Sequence, residues 1–206
     1  IVALSDGIPD GSELGLQVDF SDESGNQFSG YLDIIVSGNK LSGYDIDVIG
    51  SANDVLTPGE SSYVKIELKN DGGTNALNIT GTITCASPFV EIIDDNGTWS
   101  SVTPGETSFN GNDYFEISTL EETLPGTVAH LVLNIETNDG YTSNTLVPIQ
   151  IGIPTVFDPV GPDDYGYYIY DNEDINYVLA PTYDWVEIDD REGGPGTYLN
   201  SLTDSG

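Results

Sequence analysis

Methionine is absent, cysteine and histidine occur once each, and Lys and Arg together number only 4 against 35 Asp and Glu. The formal net charge is −31. Each shortage removes functions. Without a basic footprint there is no nucleic-acid interface. Anionic membrane surfaces would repel the chain. No apolar run approaches the ~18 residues of a membrane-spanning helix. One cysteine makes an internal disulfide impossible. A thiol nucleophile would have only His130 as its base, and alternation places His130 on the outer side of a strand. Lys40, Lys65, Lys69 and Arg191 can neutralise few carboxylates, so most Asp and Glu must face water or a soluble cation. The absence of methionine and the beginning Ile1-Val2-Ala3 lead us to expect a processed product or a fragment of a longer polypeptide.

What the chain does have is enough apolar content to fold, at 37% hydrophobic and 10% aromatic. Its pattern is that of short strands. Leu16, Val18 and Phe20 alternate with polar residues, Asp22-Glu23-Ser24-Gly25-Asn26 turns, and Leu32, Ile34 and Val36 resume the alternation. Further strands are expected at 43–49 (Tyr44, Ile46, Val48), 62–69 (Val64, Ile66, Leu68), 76–85, 89–93, 98–102, 113–118, 128–136 and 145–152. In the 76–85 strand, Leu77, Ile79, Gly81, Ile83 and Cys85 are expected on one face, Cys85 as a small buried thiol. Thr57-Pro58-Gly59-Glu60 and Thr103-Pro104-Gly105-Glu106 read as turns. No helical stripe is present. The expectation is an all-β, antiparallel, immunoglobulin-like sandwich with flanking partial β segments.

An internal repeat sets the organisation. After one deletion, the segment from Ile8-Pro9-Asp10-Gly11 runs in step with that from Leu124-Pro125-Gly126, offset by 115. Gly11 matches Gly126, Leu16 matches Leu131, Val18 matches Leu133, Phe20 matches Ile135, Gly25 matches Gly140, Ile34 matches Ile149 and Val36 matches Ile151. The second copy closes a sandwich expected at 39–155. The first, residues 1–38, is the terminal hairpin of an incomplete sandwich. Its apolar face requires a cover: upstream sequence, another chain, or the 39–155 domain. Residues 156–206 form a third segment, extended or β, holding seven of the twelve tyrosines.

That third segment carries a resemblance. Pro162-Asp163-Asp164-Tyr165-Gly166-Tyr167-Tyr168-Ile169-Tyr170-Asp171-Asn172, followed by Ala180-Pro181-Thr182-Tyr183-Asp184-Trp185-Val186-Glu187-Ile188, resembles a stretch of very large secreted bacterial proteins such as gingipain-like cysteine peptidases. There it follows immunoglobulin-like adhesion modules. Leu56-Thr57-Pro58-Gly59-Glu60 and Val64-Lys65-Ile66-Glu67-Leu68-Lys69-Asn70-Asp71-Gly72 resemble such a module. The loop before Leu56, Ser51-Ala52-Asn53-Asp54, departs from the module's glycine–aspartate pattern. The resemblance implies a non-catalytic region of a secreted, multidomain protein, since the peptidase's catalytic part has no counterpart here.

Calcium is the expected ligand. Ca²⁺ takes six to eight oxygen ligands from carboxylates, carbonyls and water, and clustered Asp and Asn offer them. The first candidate is Asp171-Asn172-Glu173-Asp174 with Asp163, Asp164 and Asp184. Glu91, Asp94 and Asp95 are a second candidate; Asp189 and Asp190, which can equally pair with Arg191, are a third. The plainer reading is a solvated acidic surface. Tyr165, Tyr167, Tyr168, Tyr170 and Trp185 offer an aromatic platform for polysaccharide, against a plainer role in packing. Acid pairs of glycosidase type arise by chance among so many carboxylates. The expected function is thus a non-catalytic structural module at the cell surface or outside the cell, contacting neighbouring modules or identical subunits. The alternatives are an accessory module of a secreted peptidase and a carbohydrate-binding module.

Overall fold

The computed structural model describes residues 8–163, 165–171, 174, 177 and 180. Among them every regular element is a strand: β1 Glu13–Ser21, β2 Gln27–Ile35, β3 Leu41–Val48, β4 Val55–Leu56, β5 Ser61–Asn70, β6 Ala76–Cys85, β7 Val90–Asp94, β8 Asn96–Val102, β9 Thr107–Phe109, β10 Phe115–Thr119, β11 Thr127–Thr137 and β12 Thr142–Ile151. β1 and β2 form a two-stranded antiparallel ribbon. The remainder form two sheets. One has the order β3-β5-β10-β7, with β9 beside β5, and the other β4-β12-β11-β6-β8. With β3, β5, β6, β7, β10, β11 and β12 as strands A to G, these are the A-B-E-D and G-F-C orders of an immunoglobulin-type sandwich. β8 adds a strand beside β6, and β4 joins β12 in parallel.

The alternation expected from sequence is the packing observed. Val64, Ile66 and Leu68 of β5 and Phe115 and Ile117 of β10 point inward from one sheet. Ile79 and Ile83 of β6, Leu131, Leu133 and Ile135 of β11, and Val147, Ile149 and Ile151 of β12 meet them from the other. Trp99 lies between the sheets. Its indole N–H donates to the Ile66 carbonyl at 3.0 Å, and its ring tilts against Phe115 at 6.1 Å. Two glycines make room for these rings. A Cβ on Gly81 would lie 2.7 Å from Trp99, and one on Gly97 would lie 2.5 Å from Phe115.

Two inward assignments are corrected. Leu77 is exposed, because Asn78 adopts φ of +50° and breaks the alternation, so that Ala76 and Ile79 are the buried neighbours. Tyr44 is exposed as well. The β3–β5 register shifts between Gly43 and Asp45, and this bulge turns the ring outward, 5.9 Å from the Lys69 ammonium. Cys85 is half-buried and packs against the core.

Buried amides tie the loops to this core. Asn70 is fully buried. Its Nδ2 donates to the carbonyls of Thr74 (2.8 Å) and Val102 (2.9 Å), and its Oδ1 accepts from the Gly72 amide at 3.0 Å. Asn110, also buried, accepts from the Ile66 amide at 2.8 Å. Replacing Asn70 by Ala leaves two carbonyls and the amides of Gly72 and Lys40 without this partner, which costs about 1–3 kcal/mol. Gly97→Ala forces a methyl group into Phe115 and costs about 1–3 kcal/mol. Urea midpoints of both variants should fall accordingly; an unchanged midpoint in either would contradict the packing described.

Candidate functional site

The β1–β2 ribbon and the β11–β12 hairpin are the same object built twice. Gly11 N–H donates to the Val36 carbonyl at 2.8 Å, and Gly126 N–H to the Ile151 carbonyl at 2.8 Å. Ser12 donates to Pro9 at 3.2 Å as Thr127 does to Leu124 at 3.2 Å. At the far end Gly25 donates to Asp22 and Gly140 to Thr137, both at 3.0 Å. Both turn glycines have left-handed backbones, φ +84° and +86°, as a hairpin closed by a bulge requires. The strand register matches residue for residue: Leu16 opposes Leu32 as Leu131 opposes Val147, and Leu14 opposes Ile34 as Ala129 opposes Ile149. The two agree from Pro9 and Leu124 onward, so the one-residue difference lies before Pro9.

Their surroundings differ. Leu131, Leu133 and Ile135 are 0%, 0% and 2% exposed beneath the opposing sheet, whereas Val18, Phe20 and Leu32 are 38%, 58% and 54% exposed. The edges differ too. β11 pairs with β6 and β12 with β4, while among the described residues β1 and β2 pair only with each other. Of the three covers considered for this face, the 39–155 domain is excluded. It holds only the base of the ribbon. The Asp10 Oδ1 accepts from the amides of Gly38 (2.8 Å) and Gly73 (3.1 Å), and the Gly38 carbonyl accepts from Gly73 and Thr74. Gly72 approaches so closely that a Cβ there would lie 2.4 Å from the Gly38 carbonyl oxygen. Val36, at this base, is buried.

The uncovered face therefore consists of the half-buried Leu14 and Leu16 and the exposed Val18, Phe20, Phe28, Leu32 and Ile34, with Gly30 opposite Val18. Sequence reading missed Leu14 and Phe28, although the same alternation extended by one step at each strand would have supplied them. The opposite face carries Glu13, Gln17, Asp19, Ser29 and Asp33 together with the exposed Tyr31 and Ile35, and the ribbon holds no Lys or Arg. Covering each half-exposed apolar side chain is worth about 1–2 kcal/mol.

The expected metal residues do not come together among the described residues, where no three His, Cys, Asp or Glu side chains form a metal-holding group. Asp164, Asn172, Glu173 and Asp184 lie outside the described residues, as do Trp185, Asp189 and Asp190. Several of the others serve the backbone. The Asp163 Oδ1 accepts from the amides of Tyr165 (2.9 Å) and Tyr167 (2.8 Å). The Asp174 Oδ2 accepts from the Asp171 amide at 2.7 Å. The Asp94 Oδ1 accepts from the Asn96 amide at 3.1 Å, and Asp95 accepts from the Asn96 side chain. Glu91 is exposed on β7. The Tyr177 hydroxyl donates to Asp158. Burial pushes the Asp158 carboxyl up, and the bonds from Tyr177 and Thr155 more than offset this, leaving it below its ordinary value.

Cys85 faces the core opposite Leu131, while His130, one residue from Leu131, is exposed on the other side of β11. One shallow depression is lined by Thr80, Gly81, Thr82, Asn134, Ile135, Glu136 and Thr142, another by residues between Val48 and Tyr63 that include Glu60. Each has a single carboxylate. In the tyrosine segment, Tyr168 reaches Thr127 (2.8 Å) and Tyr170 stacks edge-on against Tyr177, so both pack; Tyr165 and Tyr167 are exposed.

No family model matches the sequence, and neither does any curated protein. Among solved structures, the chain is similar to a conjugative transposon lipoprotein from Bacteroides eggerthii. Identity is 12% and the TM-score 0.28, over 54% of this chain and 95% of that one. It is also similar to Spo0M, a sporulation control protein from Bacillus subtilis. Identity is 14% and the TM-score 0.30, over 58% of this chain and 51% of that one.

Two outcomes follow for the ribbon. Phe20→Ser with Phe28→Ser should leave the urea midpoint of the sandwich within about 0.5 kcal/mol of the parent, because neither ring touches the core; a larger loss would mean that they do. The turn depends on Asp22. Bonds from the Asn26 side chain and then its amide hold that carboxyl below its ordinary value. Bonds from Ser29 and then Gln17 do the same for Asp19. A lowered folded value gives stability that is present above the unfolded value, about 3.9, and lost as pH falls through the folded one. Cross-strand β1–β2 NOEs should therefore fade below pH of about 4 and be weak at every pH in Asp22→Ala. NOEs indifferent to acid would refute this role.

Proposed function

We propose that the chain is a non-catalytic structural module of an extracellular or cell-surface assembly. Its β1–β2 ribbon takes up β-sheet contacts from a neighbouring module or subunit, and calcium stabilises it. The observation that carries this reading is the uncovered apolar side of a ribbon whose twin, β11–β12, is buried. A lone two-stranded ribbon is marginal in water, so a protein that keeps seven apolar side chains on it has a use for them in contact. Calcium is supported by charge. Among the described residues the ion pairs are Lys65–Asp47 and Lys69–Asp71, against 35 acidic side chains in all. The separation of Cys85 and His130 onto opposite sides of the G-F-C sheet supports a role without catalysis.

The test is dye binding and association of the intact chain. An apolar probe such as anilinonaphthalene sulfonate should bind the parent and not Phe20→Ser with Phe28→Ser, at equal melting temperature. A parent that binds no dye and stays monomeric at all concentrations would defeat the contact reading. Removing divalent ions with EGTA at low salt should lower the melting midpoint, since a ligand bound only by the folded state stabilises it by about 2.7 kcal/mol at 100 times its Kd. An unchanged midpoint removes calcium from the account.

A further inference from the structure

The ribbon's apolar face has a definite shape to receive, and the same chain displays it. In the twin hairpin, what lies over Leu131, Leu133, Ile135, Ile149 and Ile151 is the β3-β5-β10-β7 sheet, through Val64, Ile66, Leu68, Phe115 and Ile117. Because β1–β2 repeats the register, turns and hydrogen bonds of β11–β12, its face presents Leu16, Val18, Phe20 and Ile34 where that sheet receives Leu131, Leu133, Ile135 and Ile149. Its open edges likewise correspond to those taken by β6 and β4. The sequence ahead of the ribbon repeats too. Ile1 and Leu4 reproduce Ile117 and Leu120, and the connection to the turn glycine is one residue longer, from Leu4 to Gly11 against Leu120 to Gly126. Ile117 belongs to β10, the strand of the covering sheet that runs directly into the hairpin.

We propose that the occupant of the β1–β2 face is the rest of an earlier copy of this same module: a sheet of the β3-β5-β10-β7 kind together with counterparts of β4, β6 and β8. It is carried on the same polypeptide, and its sequence runs into the ribbon through Ile1-Val2-Ala3-Leu4, the counterpart in sequence of Ile117-Ser118-Thr119-Leu120. The same-chain source follows from that segment, which repeats the β10-to-β11 connection in sequence. The chain is then the junction of a tandem array. The loop at 70–74 and residues 36–40 grip the base of one module's final hairpin, and at the other end Tyr168 and Gly161 meet the base of the next, at Thr127 and Gly126. The inference rests on the contact reading above and narrows it to one partner.

The experiment places residues 39–116 directly before Ile1 of the intact chain, so that Ile1 takes the position of Ile117. Amide exchange is compared in the β1–β2 ribbon of the extended and unextended proteins, with β11–β12 as the reference within each molecule. The extension should slow ribbon exchange about 100-fold or more, toward that of β11–β12, abolish dye binding, and leave the protein monomeric. A second extension carrying Val64→Asp and Ile66→Asp should do none of this. Ribbon amides that stay fast in the first extension, or that slow equally in the second, overturn the inference. Slow ribbon amides in the unextended chain that depend on concentration would identify a second copy as the occupant, overturning the inference while the contact reading stands. Slow amides in an unextended monomer would overturn both.

Discussion

An amphipathic β-ribbon is marginal in water until a second sheet closes over its apolar side. That constraint governs this molecule from end to end. β11–β12 satisfies it with the β3-β5-β10-β7 sheet, and the result is a core in which Leu131, Leu133 and Ile149 are almost wholly removed from solvent. β1–β2 has the same turns, register and apolar parity and does not satisfy it within the described residues. The contrast is internal to one chain, so it does not depend on any other protein for comparison. It also separates the contribution of local sequence from that of packing. Local sequence sets the hairpin's register and its turn; burial comes only from what is laid on top.

The charge of the chain shapes how its side chains are employed. With so few ammonium and guanidinium groups, carboxylates find hydrogen bonds in the backbone. Asp10 receives Gly38 and Gly73, Asp22 receives Ser24 and Asn26, Asp54 receives Val48, Asp158 receives Thr155, and Asp163 receives Tyr165 and Tyr167. The turns at Asp22 and Asp163 are near replicas, each closed by a glycine with φ near +85°. These aspartates shape turns, and a dense run of acidic residues in sequence does not by itself mark a cation site.

Most strands were legible because apolar parity is the signal that sheets impose on sequence. Val64, Ile66 and Leu68, or Leu131, Leu133 and Ile135, state their inward face without ambiguity. The Thr-Pro-Gly-Glu turns were legible for an equally local reason: proline presets the first turn residue, and Gly59 and Gly105 take φ near +78°. Legibility failed where geometry is decided elsewhere. Nothing in Leu77-Asn78 announces a left-handed asparagine, nor in Gly43-Tyr44 a bulge. β4 and β9, of two and three residues, are too short to show a period. Asn70 and Asn110 look like loop residues in sequence, and only the folded chain shows Asn70 donating to the Val102 carbonyl and Asn110 accepting from the Ile66 amide. The repeat exposed the ribbon as a candidate surface, yet parity alone could not say whether the neighbouring domain covered it.

The account stands most directly on the solvent exposure of two phenylalanines. Hydroxyl-radical footprinting of the intact chain, read by mass spectrometry residue by residue, compares Phe20 and Phe28 with Trp99 and Phe115 in one sample. The account predicts rapid oxidation of Phe20 and Phe28 and near-complete protection of Trp99 and Phe115. Equal protection of all four in a monomeric sample would contradict it.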